Sequence, residues 1–351
     1  MSKHTMNSRQ TVIGLDIGDR HCHFCVLDPD HAEPQHGRVA TQPEKLRAFF
    51  ANLPGALVVM EAGTHSPWIQ RLVRECGEHP LVANPRQVRL IYAGRRKSDR
   101  LDAETLARLG RADTELLYPI RPCSKKTQAN RAILRSRRAL IDSRTALITS
   151  VRGQVKAWGE RLPSSSSEAF VRKARPALPT VLAPALAPIL DVIESLNDKI
   201  KTLDERIAAL AEDTYPVVQL LQQIPGVGPI ASLAYVLTIE DPFRFAKSRD
   251  VPAYLGLVPR RAQSGDRDPR LGITKAGDPY LRALLTQCAQ YVLGAFGPDT
   301  ALRRWGLGLV ARGGAGAKKK AVTAVARKVA VLMHRLWVTQ GTYQSEGRIV
   351  A

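Results

Sequence analysis

Two short apolar runs in the first third of the chain each end in a carboxylate, and that placement constrains the fold more than any other feature. Val12-Ile-Gly-Leu runs into Asp16, and Ala56-Leu-Val-Val-Met into Glu61. Runs this short and this rich in β-branched residues read as strands. The pattern predicts strands over Thr11–Leu15, Phe24–Leu27, Ala56–Met60 and Leu81–Ala83, with helices over Pro67–Cys76 and Arg100–Leu109. Strands interleaved with helices make an α/β sheet domain, here placed at residues 10–120. Acids at the C-terminal ends of such strands converge where ligands normally bind.

A further pair of acids joins them. Asp99 and Asp102 stand three residues apart in Lys-Ser-Asp-Arg-Leu-Asp-Ala-Glu, so a helix presents both on one face. Four carboxylates in one place repel unless cations neutralise them. All-oxygen donors suit Mg²⁺ or Mn²⁺, and two such ions can clamp the attacking and leaving oxygens of a phosphodiester. Strand acid, strand acid, then two helix acids is the order of an RNase H-like, RuvC-like nuclease core. Asp19 and Glu104 read as ordinary salt-bridge partners. Leu-Asp-Ile-Gly also occurs in the phosphate loop of actin-like kinases, but no matching second loop or Gly-rich adenosine site follows. His21, Cys22, His23 and Cys25 resemble a metal cluster; they fall on a strand, where neighbours alternate between faces, and no second ligand pair accompanies them.

Charge sets the partner class. The 351 residues carry a formal net charge of +20. Residues 1–114 hold 16 Lys and Arg against 13 Asp and Glu; residues 115–351 hold 36 against 19. The excess lies beyond the acid-bearing domain and points to a polyanion such as nucleic acid. The five cysteines, an odd number, read as reduced thiols. No apolar stretch reaches 18 residues, and Met1–Gln10 lacks a signal core, so the expected setting is the bacterial cytoplasm beside the nucleoid, with no membrane partner.

Residues 125–214 read as a helical segment. Ile189, Ile193, Leu196, Ile200, Leu203, Ile207 and Leu210 recur at alternating spacings of four and three, a coiled-coil seam. Leu134, Ile141, Ile148, Val151, Val155 and Trp158 keep a similar register upstream, across a Pro/Ser-rich loop. The seam serves either a helical hairpin within one chain or a dimerisation arm.

Residues 215–342 are predicted mostly helical. Ile224-Pro-Gly-Val-Gly-Pro229 forms a helix-hairpin-helix pattern in which Gly226 and Gly228 allow a turn that offers backbone N–H groups to a phosphate. Downstream, Ser264 sits beside Gly265 on a loop among Arg260, Arg261, Arg267, Arg270, Lys275 and Arg282. A hydroxyl among guanidiniums is placed to attack a phosphodiester; a turn serine in a DNA-binding loop would look the same. Lys318, Lys319 and Lys320 open an Ala-rich basic helix, a further candidate nucleic-acid contact.

Taken in order, Gly-Leu-Asp-Ile-Gly, Met-Glu-Ala-Gly-Thr-His, Asn-Pro-Arg-Gln-Val-Arg, Lys-Ser-Asp-Arg-Leu-Asp-Ala-Glu, Ile-Pro-Gly-Val-Gly and Gly-Leu-Val-Pro…Ser-Gly…Gly-Ile-Thr-Lys-Ala-Gly-Asp resemble the transposases of the bacterial insertion sequence 110 family. The resemblance covers nearly the whole chain. It implies a Mg²⁺- or Mn²⁺-dependent tetrad of Asp16, Glu61, Asp99 and Asp102, and a nucleophilic Ser264 in a serine-bearing transposase domain. It also implies a covalent 5′-phosphoserine intermediate, donor and target DNA, a noncoding guide (bridge) RNA, and a homo-oligomer in which dimers assemble to a tetramer with a composite active site. The rival is a RuvC-like nuclease that uses water, with Ser264 structural. A third reading is a non-catalytic basic scaffold.

Overall fold

The computed structural model describes residues 10–91, 98–265, 267–269, 271–346 and 349–350. Two compact units divide the chain at Cys123/Ser124.

Unit 1 is built on a five-stranded mixed sheet. The strands are β1 (Val12–Ile17), β2 (His21–Leu27), β3 (Gln35–Ala40), β4 (Leu57–Glu61) and β5 (His79–Ala83), in spatial order β3-β2-β1-β4-β5. β1, β2 and β3 pair antiparallel; β1, β4 and β5 run parallel. The helices are α1 (Pro43–Phe50), α2 (Ser66–Glu75), α3 (Pro85–Ile91) and α4 (Asp99–Ala112). Alternation sends Ile13, Leu15, Val58 and Met60 to one face, where they bury Leu46, Phe50, Ile69 and Val73 of α1 and α2. Val12, Leu57, Val59, Cys25 and Leu27 go to the other, under Leu106, Ala103 and Ala107 of α4. β3, α1 and α3 have no counterpart among the sequence-predicted elements. β3, Gln-His-Gly-Arg-Val-Ala, is a half-solvated edge strand and lacks the apolar run that marks the others.

The seat of α4 on β1 is unusually close. A Cβ added at Gly14 would stand 1.9 Å from the Ala103 carbonyl oxygen, and one at Gly110 would stand 2.5 Å from Val59 Cγ2. Small residues on both sides let helix and strand backbones nearly touch. Ser98 caps α4, its hydroxyl accepting from Leu101 N–H at 3.3 Å, and Asp99 and Asp102 sit in the first turn, where the helix dipole favours them. Gly14→Ala forces apart two backbones that have no side chain to yield. It should therefore destabilise the protein by about 3 kcal/mol, at the upper end of overpacking costs. Gly63→Ala, with nothing within 4 Å of its added Cβ, should not. Urea unfolding of the two variants checks this.

Unit 2 is helical. It comprises α5 (Lys125–Ala157), α6 (Phe170–Ala174), α7 (Ala183–Ala209), α8 (Val217–Leu221), α9 (Pro229–Ile239), α10 (Val251–Tyr254), α11 (Pro279–Leu293), α12 (Ala301–Ala311) and α13 (Ala317–Thr339). α5 and α7 lie along each other. Their far end buries Val151, Val155, Leu190 and Ile193 with Phe170 of α6; their near end buries Leu134 and Ile207 in the main core. Polar bridges fill the stretch between: Arg137 pairs with Asp204, and Arg144 donates to Asn197 at 2.8 Å. Within this unit Ile193, Ile200 and Ile207 are buried, while Leu196 and Leu203 stay half-buried outside the clusters. α7 starts at Ala183, inside the proline-rich stretch the sequence suggested as loop. Pro184 occupies its first turn, where a missing N–H costs nothing, and Pro188 is carried inside the helix.

α9 is apolar on every side and buried from Ala231 through Ile239, which makes it the axis of the main core. α11 and α13 pack around it, and Tyr235 donates to the Ala330 carbonyl at 2.8 Å. Among the described residues no helix is long and apolar enough to cross a membrane.

Candidate functional site

In unit 1 the four predicted acids gather at one end of the α4-covered face. The β1–β4 register sets Leu15 beside Met60, so the next residues along, Asp16 and Glu61, are neighbours at the ends of parallel strands. Because Gly14 docks beneath Ala103, Asp16, two residues further along the same face, lies towards the N-terminus of α4, where Asp99 and Asp102 stand. Burial, then the charges of Asp99, Asp102 and Glu61, push the Asp16 carboxyl up from 3.8 to about 6. His23 pulls the other way. It faces Asp16 directly across the antiparallel β1–β2 pair, with its Nε2 3.5 Å from Asp99.

The donor set is all oxygen and electrostatically strained, which is chemistry that fits a hard divalent cation. The cage is not closed: among the described residues no group of three or more His, Cys, Asp or Glu side chains is gathered tightly enough to hold a metal. Asp19 pairs with His65 Nε2 at 3.1 Å, and Glu104 pairs with His36 and Arg108, so both act as ion-pair partners. Cys22 and Cys25 are buried on opposite sides of the sheet. Sequence reasoning weighed His23 only as part of a metal cluster and missed its place beside the acids. Its signal was the tight β1–β2 turn, which places residue 23 opposite residue 16.

In unit 2 Ser264 lies at the tip of a β-hairpin. Arg260 N–H bonds the Gly272 carbonyl at 2.9 Å and Thr274 N–H the Val258 carbonyl at 2.9 Å. At the tip, Ser264 and Arg267 exchange backbone bonds of 3.1 Å. Gly265 takes φ +55°, the left-handed conformation that tight hairpin turns need. Ser264 is exposed, and no described residue hydrogen-bonds its hydroxyl. Arg260, Arg261 and Arg267 are exposed along the same hairpin; Arg270 lies outside the described residues.

The hairpin base is locked from below. Gly256 and Gly277 cross so closely that an added Cβ would meet backbone at 2.2 Å and 2.3 Å. Lys275 holds φ +56° beside this crossing. The Arg282 guanidinium donates to the carbonyls of Leu255, Ala276 and Gly277, so it fastens the loop. Arg131 and Asp278 pair beside it, and Asp278 also caps α11.

The Gly226–Gly228 turn joins α8 to α9. Gly226 takes φ +83° against Tyr291 and the Cys288 carbonyl, and Gly228 precedes the first turn of α9. Lys318, Lys319 and Lys320 are exposed in the first turn of α13, which has no acidic residue. Three cations at the positive end of a helix oppose its dipole, an arrangement that a bound anion relieves.

Comparison with known proteins gives these features a class. Residues 13–158 match a transposase family of the DEDD type found in insertion sequence IS110, and residues 218–303 match the "Transposase IS116/IS110/IS902 family". A "Probable family 20 transposase" of Pseudomonas aeruginosa is 31% identical over 86% of this chain and 89% of its own. The "Transposase for insertion sequence element IS1111A" of Coxiella burnetii is 29% identical over 95% of this chain and 91% of its own. The corresponding IS1328 protein of Yersinia enterocolitica is 27% identical, covering 80% and 83%. The chain is thus an enzyme that cleaves and recombines DNA. It belongs to the IS110 family of transposases.

Proposed function

We propose that this transposase joins donor and target DNA through a 5′-phosphoserine on Ser264, with the tetrad Asp16, Glu61, Asp99 and Asp102 holding Mg²⁺ or Mn²⁺ and a noncoding guide RNA selecting the sites. The observation that carries the reading is the crowding at Asp16, a carboxyl pushed up to about 6 by burial and three other acids in a DNA-recombining enzyme. A divalent ion bound there would neutralise those charges and polarise a phosphodiester.

The chain's own part is a pair of transesterifications. Ser264 Oγ attacks phosphorus, the bond to the 3′ oxygen breaks, and that oxygen leaves as a hydroxyl carrying the proton. The 3′-hydroxyl of another strand then attacks, the phosphorus–Oγ bond breaks, and the serine regains a proton. Bonds broken and formed are equivalent, so no nucleotide cofactor is needed. Ser264 has no base hydrogen-bonded within the described residues, which supports a composite site completed on assembly. In this reading residues 10–120, 125–214 and 215–342 serve as the RuvC-like, coiled-coil and serine-bearing segments. The Gly226–Gly228 hairpin and Lys275 add backbone and charge contacts to nucleic acid.

Two tests belong here. Nucleic-acid affinity should fall steeply with salt, and changing Lys318, Lys319 and Lys320 together to Ala should flatten the log–log slope by about one unit for each phosphate no longer neutralised. Because those lysines oppose the α13 dipole, the same variant should melt no lower than wild type. Oligomerisation is proposed through the seam that α5 leaves half-covered. Leu196→Asp with Leu203→Asp should reduce the mass seen by light scattering to that of one chain; an unchanged mass places the interface elsewhere.

A further inference from the structure

Beside the serine-bearing hairpin, unit 2 holds a cavity of about 1140 Å³. Both strands of the hairpin form one wall, and α12 and α13 form the other. Its floor is apolar, with Leu257, Ile273, Leu302 and Val331 among the lining residues. Its described rim is basic: seven Lys and Arg side chains, Arg260, Lys319 and Arg327 among them, against the acids Asp268 and Glu346. Among the described residues one aromatic ring lines it. Trp305 on α12 is 36% exposed, and the ammonium of Lys328 on α13 sits 3.8 Å from the ring centroid.

A plain polyanion site needs cations and no apolar floor. A DNA duplex turns its charge outward and keeps its bases stacked inside, so it has nothing to offer the floor or the ring. An unpaired strand offers both: phosphates for the rim and a base face for the indole. Basic grooves that carry an aromatic platform bind single strands in this way. Burial pushes the Lys328 ammonium below its usual value, and a phosphate beside it would offset that cost. On the first strand of the hairpin the lining ends at Arg261, three residues before Ser264 in the chain.

We propose that this cavity seats an unpaired DNA strand, one base stacking on Trp305 as Lys328 swings to a phosphate, with Arg260, Arg261, Lys319, Lys320 and Arg327 holding the neighbouring phosphates. The inference rests on the reading of the hairpin as the DNA-joining loop, and it fixes the path by which a strand approaches it.

The test uses the full-length protein in EDTA, repeated with Ser264→Ala, and follows the anisotropy of fluorescein-labelled oligonucleotides. Trp305→Ala should weaken binding of a 20-mer oligo(dT) about tenfold or more, consistent with loss of one stacked base. Binding of a 20-base-pair duplex should change less than twofold. Trp305→Phe keeps a ring and should recover most of the loss, which separates stacking from a folding defect. Oligo(dT) should also quench a fraction of tryptophan emission in wild type that is missing in Trp305→Phe. Equal oligo(dT) affinity in wild type and Trp305→Ala overturns the proposal, as does an equal loss on duplex. A Trp305 effect confined to oligo(U) assigns the cavity to RNA and overturns it. Competition by polyglutamate as strong as by oligo(dT) reduces the site to a polyanion patch and also overturns it. None of these outcomes depends on chemistry at Ser264, so failure of the phosphoserine reading would show separately, as DNA cleavage by Ser264→Ala.

Discussion

Ser264→Ala should abolish the covalent protein–DNA product and recombination, by about 10³-fold or more as for other nucleophile deletions, while RNA and DNA binding stay near wild type. The structure makes this a clean experiment. The side chain is exposed and makes no hydrogen bond to any described residue, and Ser264 is held in the last backbone pair of its hairpin by main-chain bonds that the substitution leaves in place. Removing Oγ therefore leaves no buried group unsatisfied and no cavity, so the melting temperature should not move. A phosphate-dominated interface loses little with one hydroxyl. The readout is a denaturant-resistant adduct formed from protein, guide RNA and a nicked substrate, with mass spectrometry locating the phosphate on Ser264. Ser264→Cys keeps a nucleophile with longer bonds and should retain traces of adduct. If Ser264→Ala still cuts DNA and leaves free 5′-phosphates, water is the nucleophile and the RuvC-like nuclease reading takes over.

How much of this was legible in sequence depends on whether local pattern or tertiary packing carries the information. Asp16 and Glu61 were legible because each terminates an apolar β-rich run, and the pair at Asp99 and Asp102 because i, i+3 fixes one helical face. Four of the five strands followed from the same runs, but not the directions in which they pair. β3 was not legible, since a polar edge strand such as Gln35–Ala40 has no apolar signature. Nor was the close seating of α4: Gly14 and Ala103 are 89 positions apart, and their contact exists only after both elements form. Arg282 looked like one more basic residue in a basic loop, whereas in the fold its guanidinium gathers three backbone carbonyls. The seam of α7 was legible as a periodicity, but periodicity does not say which helix covers it. Ile193, Ile200 and Ile207 are buried and Leu196 and Leu203 only half so, a division that no spacing rule supplies. Trp305 and Lys328 sit on different helices, so their contact left no trace in sequence.

Asp16→Asn should move activity and stability in opposite directions. Recombination should fall by about 10³-fold or more if the tetrad holds the metal, because the variant loses the acid around which the other three gather. Stability of the metal-free protein should rise. Folded Asp16 holds its proton to about pH 6, whereas an unfolded aspartate releases it near 3.8. Between those values the folded state binds more protons, so wild-type stability falls as pH rises through the window and is level above it. Asn carries no charge at any of these pH values, so its unfolding curve should lack that fall. The site is only half-buried, so solvent screening limits the difference above pH 6 to about 1 kcal/mol, or about 3 °C in melting temperature. Mg²⁺ should raise the melting temperature of wild type by relieving the same repulsion, and should leave Asp16→Asn nearly unmoved. Melting curves at pH 4 to 8, in EDTA and in Mg²⁺, read all of these effects together. A variant that melts below wild type at pH 7 in EDTA would mean that Asp16 is a structural partner stabilised as an anion. The crowding of carboxylates at the end of α4 would then have to be neutralised from within the protein, and the imidazole of His23, 3.5 Å from Asp99, is a side chain placed to take part.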